Sequence, residues 1–133
     1  MEIIIRLLIA GGIMGVLDFV WLGIVAKKLY YDEMGKLLLD KPNMVPALIF
    51  YVIYVIGVVV FVINPALEKG SWLHALGFGA LFGLVAYATY DLTNLSTMKD
   101  FSSKIVLIDL MWGTAFTAVV AVGTYFIVTN LFS

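Results

Sequence analysis

The sequence predicts an all-α integral membrane protein, a four-helix bundle with short loops. Of its 133 residues, 63% are hydrophobic and 13% are charged, and the mean hydropathy of +1.08 is far above that of soluble domains. Four apolar stretches are each long enough to cross ~30 Å of hydrocarbon as a helix. Their continuous apolar composition differs from the alternating pattern of membrane barrel strands. We therefore expect one domain, residues 1–133, with helices at about 3–26, 44–63, 72–95 and 105–132.

The first stretch is interpreted as a membrane helix rather than a secretory signal. Its apolar run is longer than a signal core, Arg6 is its one basic residue, and no small-residue cleavage pattern follows. Residues 27–42 then mix lysines with leucine and tyrosine side chains. This mixture is typical of a segment that lies in the membrane interface, although a solvated loop fits the composition equally well.

Boundary signals separate the later helices. The pair Asn64-Pro65 fits the end of the second helix, because proline disrupts the interior of a helix. Ser71 fits an N-cap of the third helix, and Ser102 or Ser103 fits an N-cap of the fourth.

Basic residues predict the orientation of the bundle. With four spans, one side of the membrane holds Arg6 and Lys69. The other side holds six basic residues: Lys27, Lys28, Lys36, Lys41, Lys99 and Lys104. Because basic residues accumulate on the cytoplasmic side, we expect both termini to lie outside.

Three aspartates lie inside the predicted spans. Asp18, Asp91 and Asp109 would each cost several kcal/mol if ionised and facing lipid, so we expect each to face the bundle interior, a water-filled cavity or the interface. All three map to the cytoplasmic half, Asp18 at ~6 Å from the midplane and the other two at ~10–12 Å. Asp18 is the deepest, and we expect it to favour its neutral form and to be the functional centre.

Aromatic residues recur at the same depth. A D-x-x-W spacing in the first and fourth helices puts each indole one turn from an aspartate, and a Y-x-x-Y spacing occurs in the second and third. Small-residue ridges at Gly11-x-x-x-Gly15 and Gly79-x-x-x-Gly83 turn the acidic faces inward. The predicted ligand-binding cluster, expected to line one cavity, comprises Asp18, Trp21, Tyr51, Tyr54, Tyr87, Tyr90, Asp91, Asn94, Asp109 and Trp112.

Several kinds of site are excluded by composition. The chain has no cysteine, so it forms no disulfide or thiolate site. His74, the one histidine, lies at the opposite end of its helix from the acids and cannot complete a metal site with them. We predict no metal, no cofactor and, with a net charge of −1, no nucleic-acid partner.

Three functions remain open. The first is binding, with transport, of a small hydrophobic or cationic ligand or of protons, in which a homodimer supplies further walls. The second is a membrane-embedded lipid-modifying enzyme with an aspartate pair as acid and base. The third is a non-catalytic partner of a larger membrane enzyme, in which the polar cluster holds helices together. Membrane lipids are expected partners in each case.

Five motifs together resemble a family of small bacterial predicted membrane proteins, domain of unknown function 2177 (DUF2177). They are Phe50-Tyr51-x-x-Tyr54, Pro65-Ala66-Leu67, Gly79-Ala80-Leu81-Phe82-Gly83, the run from Ala86 to Asn94, and Asp109-x-x-Trp112-Gly113. The sequence departs from the family pattern at Ser96-Thr97-Met98 and at Phe101, outside the cluster. The resemblance implies four helices and an inner-membrane location. It supplies no activity, but family genes often neighbour those of lipid-modifying enzymes, which favours a lipid-related role.

Overall fold

The structure, a computed structural model, describes residues 2–25, 27–34 and 44–132. Throughout these ranges the regular structure is helical, and they contain no strand. Four helical spans within them are long and apolar enough to cross a membrane: Glu2–Val25, Val45–Lys69, Trp72–Thr97 and Ser103–Leu131. The predicted fold class is confirmed.

The described ranges contain six α-helices and two π-helical turns. The α-helices in chain order are α1 (Glu2–Val20), α2 (Lys27–Met34), α3 (Met44–Val58), α4 (Asn64–Lys69), α5 (Trp72–Thr97) and α6 (Ser103–Leu131). The π-helical turns are Trp21–Val25, which ends the first span, and Val59–Ile63, which joins α3 to α4. We call the side of the membrane that carries α2 and the 98–102 connection the α2 side, and the opposite side the terminal side.

The second span continues beyond the point at which the sequence predicts its end. That prediction is wrong, because α4 runs through Pro65 to Lys69 and ends at Gly70, whose φ of 61° is left-handed. A proline within an α-helix lacks an N–H donor and clashes with the carbonyl four residues earlier. The π-helical turn before Pro65 widens the helix there, and the Asn64 N–H bonds to the Val59 carbonyl. The second span therefore continues as a helix through Pro65 instead of ending before it.

Both predicted serine N-caps are confirmed. The Ser71 hydroxyl accepts a hydrogen bond from the His74 N–H at 3.1 Å, and that of Ser102 accepts one from the Ile105 N–H at 3.1 Å. These contacts satisfy backbone donors that the first turn of a helix leaves without partners. The Ser102 hydroxyl also donates to the Glu33 carboxylate at 2.8 Å, so one side chain both caps α6 and tethers α2.

The described part of the predicted interfacial segment is α2. Its Leu29 packs against a small apolar cluster of Phe101, Ile105 and Val106, whereas Lys27 and Lys28 are exposed. The helix thus presents an apolar side chain to the start of α6 and basic side chains outward. The remainder of the segment, residues 35–42, lies outside the described residues.

The closest helix pair in the bundle is α5 with α6. At Gly79, an added Cβ would lie 3.1 Å from the Thr117 carbonyl oxygen and 3.2 Å from the Ala118 Cα. At Gly83, it would overlap the Gly113 carbonyl oxygen. Without side chains at these positions the two backbones approach closely, and dispersion contacts replace the hydrophobic force that lipid does not provide.

Apolar packing fills the terminal-side half and the centre of the bundle. Its core is drawn from all four spans and contains Ala10, Met14, Tyr54, Val55, Val58, Val59, Val62, Ile63, Ala66, Ala75, Phe116, Val120, Ala121 and Tyr125. At the terminal side, the Arg6 guanidinium donates to the Asn64 side-chain oxygen at 2.6 Å and joins the first two spans. The polar cluster predicted from the sequence lies mainly in the other half.

We predict that Gly83→Ala destabilises the protein by about 1–3 kcal/mol, the usual cost of overpacking, because the new methyl group meets backbone rather than a movable side chain. Gly77→Ala in the same helix is the matched control, since a Cβ there has nothing within 4 Å. Unfolding by SDS in mixed micelles measures both variants. Equal stabilities of the two variants would contradict the close approach of α5 and α6.

Candidate functional site

A cavity of about 520 Å³ lies between the first two spans on the α2 side of the core. Asp18 is the one charged side chain among its described lining residues, and the others are apolar, aromatic or glycine. The rim is open to the surrounding lipid, because Leu22, Leu48 and Phe50 are all exposed. The lining residues are Met14, Gly15, Asp18, Leu22, Ala47, Leu48, Phe50, Tyr51, Tyr54, Tyr87 and Phe116.

Two tyrosines of α3 are fixed in the wall of this cavity. The Tyr51 hydroxyl donates to the Gly11 carbonyl of α1 and would lie 3.2 Å from a Cβ at Gly15. The first glycine ridge therefore leaves room for a phenol. The Tyr54 hydroxyl shares a hydrogen bond of 2.6 Å with the Thr117 hydroxyl of α6, in the buried core. Each tyrosine thus links α3 to a different helix.

A second cavity of about 310 Å³ lies beside the first. It is lined by Phe50, Ala86, Tyr87, Tyr90 and Asp109, so Phe50 and Tyr87 form a wall common to both cavities. The Tyr87 ring occupies the space that a side chain at Gly113 would fill, and its edge meets Tyr54 at a centroid distance of 6.4 Å. Each cavity consequently contains one aspartate, and the aromatic wall separates them.

The two D-x-x-W motifs meet through their tryptophans. The Trp21 and Trp112 rings stack with centroids 4.4 Å apart and planes 6° from parallel. Trp112 also stacks on Phe116 at 5.3 Å, and Phe116 lines the first cavity. These stacked rings attach the π-helical end of the first span to α6. The attached end begins at Trp21, three residues after Asp18.

Asp91 and Asn94 lie apart from the cavities. The Asp91 side chain is 0% exposed and lines neither cavity, although Tyr87, one turn earlier, lies within electrostatic range of both Asp91 and Asp18. Asn94 is half-buried and within reach of the Tyr90 hydroxyl.

The structure therefore divides the predicted cluster instead of placing it around one cavity. Asp18, Tyr51 and Tyr54 line the first cavity, Tyr90 and Asp109 line the second, and Tyr87 lines both. The tryptophan pair lies beside the first cavity, and Asp91 and Asn94 lie outside. Periodicity within one helix aligns residues on a face, but it does not show which helices that face touches. No group of three or more His, Asp or Glu side chains in the described ranges is placed to hold a metal ion.

Three residues of the site were not predicted. Phe50 belongs to both cavities, Phe116 joins the tryptophan stack to the first, and Thr117 bonds Tyr54. Two of them carried a usable signal. Phe116 follows Trp112 by four residues, on the same helix face, and Thr117 extends a small-residue ridge from Gly113.

A comparison with protein-family models identifies the family of the chain. The family model described as predicted membrane protein (DUF2177) matches residues 3–126. The chain belongs to the DUF2177 family. The match includes all four spans in whole or in large part and every residue of the two cavities, and the protein is a multi-pass membrane protein. No curated protein and no solved structure matches this DUF2177 chain.

In this DUF2177 protein we predict a coupling of about 0.5–1.5 kcal/mol between Tyr54 and Thr117, the range of buried interhelical hydrogen bonds in membranes. Thr117→Val alone leaves the Tyr54 hydroxyl without its partner, so the double variant Tyr54→Phe, Thr117→Val should cost less than the sum of the single variants. A double-mutant cycle of SDS unfolding measures the coupling. Thr89→Val is the control, because the Thr89 hydroxyl bonds the Val85 carbonyl within its own helix. Strict additivity at Tyr54 and Thr117 would contradict this prediction.

Proposed function

We propose that this protein binds a small amphiphile carrying a positive charge and moves it towards the α2 side of the membrane. The observation that carries the proposal is the first cavity, in which the carboxylate of Asp18 lies among aromatic and apolar side chains and the rim opens to lipid. Such a cavity suits an apolar body with a cationic group. A ligand of this kind dissolves in a bilayer and enters the cavity laterally from the lipid.

Two features of the lining favour a cation over a neutral ligand. An ionised carboxylate in a poorly hydrated cavity is costly unless an opposite charge compensates it, and a cationic group supplies that charge. The faces of tyrosine and phenylalanine rings also attract cations, and five of the lining residues are aromatic: Phe50, Tyr51, Tyr54, Tyr87 and Phe116.

The second cavity supports movement rather than storage. Asp109 lies only six residues into α6, whereas Asp18 lies closer to the middle of its span. A cation that passes the Phe50 and Tyr87 wall would therefore leave one carboxylate for another nearer the membrane surface. Four short spans enclose little space, so complete passage across the bilayer would need further walls, which a second copy of the chain would supply.

The direction of this movement follows from the orientation that we propose. By sequence, six basic residues belong to the connections of the α2 side and two to the terminal side, and under the positive-inside rule this count favours an α2 side in the cytoplasm of a bacterial inner membrane. The ligand would then pass from the bilayer interior towards the cytoplasmic surface.

Single cysteines test the orientation, because the chain has none of its own. Glu68→Cys lies on the terminal side and Lys99→Cys on the α2 side, and both positions are exposed. In intact bacterial spheroplasts, a membrane-impermeant maleimide should label residue 68 at once and residue 99 only after permeabilisation. The reverse pattern would invert the proposed orientation.

The binding proposal is tested with octylammonium as the probe and octanol as its neutral counterpart. In a Trp72→Phe background the remaining tryptophans are Trp21 and Trp112, whose stack adjoins the first cavity, so their fluorescence reports its occupation. We expect Asp18→Asn to weaken octylammonium binding roughly tenfold or more, because a charge-assisted contact contributes about 1.5–3 kcal/mol. Octanol binding should change little.

Asp32→Asn is the matched control for that experiment, since Asp32 is an exposed carboxylate on α2. It should bind octylammonium as the parent protein does. Equal octylammonium affinities in the parent and Asp18→Asn proteins, or equal affinities of the parent for octylammonium and octanol, would refute a cation site at Asp18.

A further inference from the structure

Among the described residues, the least exposed carboxylate is one to which the binding proposal assigns no ligand. Asp91 is 0% exposed, and neither of its carboxylate oxygens has a hydrogen-bond partner within the described ranges. Buried polar groups are normally hydrogen-bonded, and buried charges are normally paired. A buried carboxyl group inside a membrane helix pair that has neither kind of compensation points to a bound species on its oxygens.

The packing of α5 on α6 explains why Asp91 is enclosed. Ala75, Gly79 and Gly83 follow one another at four-residue spacing and are all buried. The same spacing leads to Tyr87 and then to Asp91, on the face that α5 turns to α6. Gly83 lies against Gly113. Continuing this antiparallel register by two turns brings Asp91 level with the first two turns of α6, where Ile105, Val106 and Asp109 are buried.

The bound species is limited by the missing partners. A metal ion such as Ca²⁺ or Mg²⁺ requires a shell of about six or more oxygen ligands. The Asp91 oxygens make no hydrogen bond with any described residue, and no group of three or more acidic or histidine side chains in the described ranges is placed to hold a metal. A proton, in contrast, needs one oxygen and no shell. We infer that Asp91 is a proton-binding site sealed between α5 and α6.

Its surroundings connect this proton to the ligand cavities. Tyr87 and Tyr90, on the same helix, lie within electrostatic range of Asp91 and line the second cavity. On α6 the titratable group at this level is Asp109, in the wall of that cavity, and Lys104 is exposed one turn nearer the α2 side. A cation in the second cavity would favour a negative charge on Asp91.

The proton site rests on the proposed function in one respect: we infer that the Asp91 proton is the ion that is exchanged for the cationic ligand. When a cation enters the second cavity, the O–H bond of the Asp91 carboxyl breaks and its proton passes to water on the α2 side. The carboxylate keeps the electron pair and balances the charge of the ligand. When the ligand leaves, the proton returns. The exchange is electrically neutral, one proton for one singly charged ligand.

The first test does not depend on any ligand. Infrared spectroscopy of the protein in lipid nanodiscs at neutral pH should show the C=O stretching band of a protonated carboxylic acid. Asp91→Asn should remove intensity from this band, and Asp32→Asn should not. Both Asp91→Asn and a second variant, Asp91→Leu, should insert and fold, because the acid makes no hydrogen bond in the described ranges that its loss would break. An unchanged band in both Asp91 variants would overturn the inference.

The second test measures proton release when octylammonium is added to the protein in weakly buffered micelles containing a pH indicator. The parent protein should release about one proton more per bound cation than Asp91→Asn does, as linkage between the two sites requires. Asp91→Asn should still bind the cation, and a proton that Asp18 releases on binding is released equally by both proteins. Undiminished release from Asp91→Asn would refute the coupling and leave the cation site intact. If the parent protein bound no octylammonium, the proposed function would fail, and the infrared band would still decide whether Asp91 carries a proton.

Discussion

The backbone approach of α5 to α6 is the constraint on which the other contacts depend. In lipid the apolar surface of a helix gains nothing by leaving its solvent, so association relies on close packing and on interhelical hydrogen bonds. Gly79, Gly83 and Gly113 allow the two backbones to meet. That contact sets the position of the Tyr87 ring over Gly113 and directs Thr117 towards Tyr54. The position of the aromatic wall between the cavities therefore depends on glycines, although they contribute no side chain to it.

The bundle is packed unevenly along the membrane normal. Small and β-branched residues such as Val58, Val59 and Val62 fill the terminal-side half, whereas the α2-side half contains large rings that leave two cavities. The aspartates of the spans lie in this looser half. The candidate ligand site thus lies towards one end of the four helices, and Met14, Tyr54 and Phe116 belong both to the core and to the wall of the first cavity.

The sequence predicted the spans and their helix caps well, because both depend on local properties. Length and composition are enough to identify a membrane helix, and a serine before a helix needs only its own neighbours to act as a cap, as Ser71 and Ser102 do. The prediction at Pro65 failed for a related reason. Whether proline ends a helix depends on the turn before it, and the apolar run Val59–Ile63 has no residue type that signals a π-helical turn.

The sequence indicated the depth of the cavity residues but not their full membership or their arrangement. Depth along each span predicted that Asp18, Tyr51, Tyr54, Tyr87 and Asp109 lie at one level, since the rise per residue is fixed, and these five line the two cavities. The rotation of each helix was harder to predict. Soluble helices reveal their inner face by a polar outer one, but here every face is apolar. Nothing local distinguishes Asp91, which α6 encloses, from Asp109, which lines a cavity.

The widened turn at Val59–Ile63 also has a consequence for the evolution of the chain. A π-helical turn accommodates one residue more than the α-helix around it, so it is structurally equivalent to a single-residue insertion. Deleting one residue there would restore a regular α-helix and leave the helix faces on either side nearly unchanged, because the wide turn absorbs the extra residue locally. Deleting a residue from the regular part of α3 would instead rotate everything after it by about 100° about the helix axis, and Asn64 would turn away from Arg6. The second span therefore has one place at which its length can change by a residue while the polar link between the first two spans is kept.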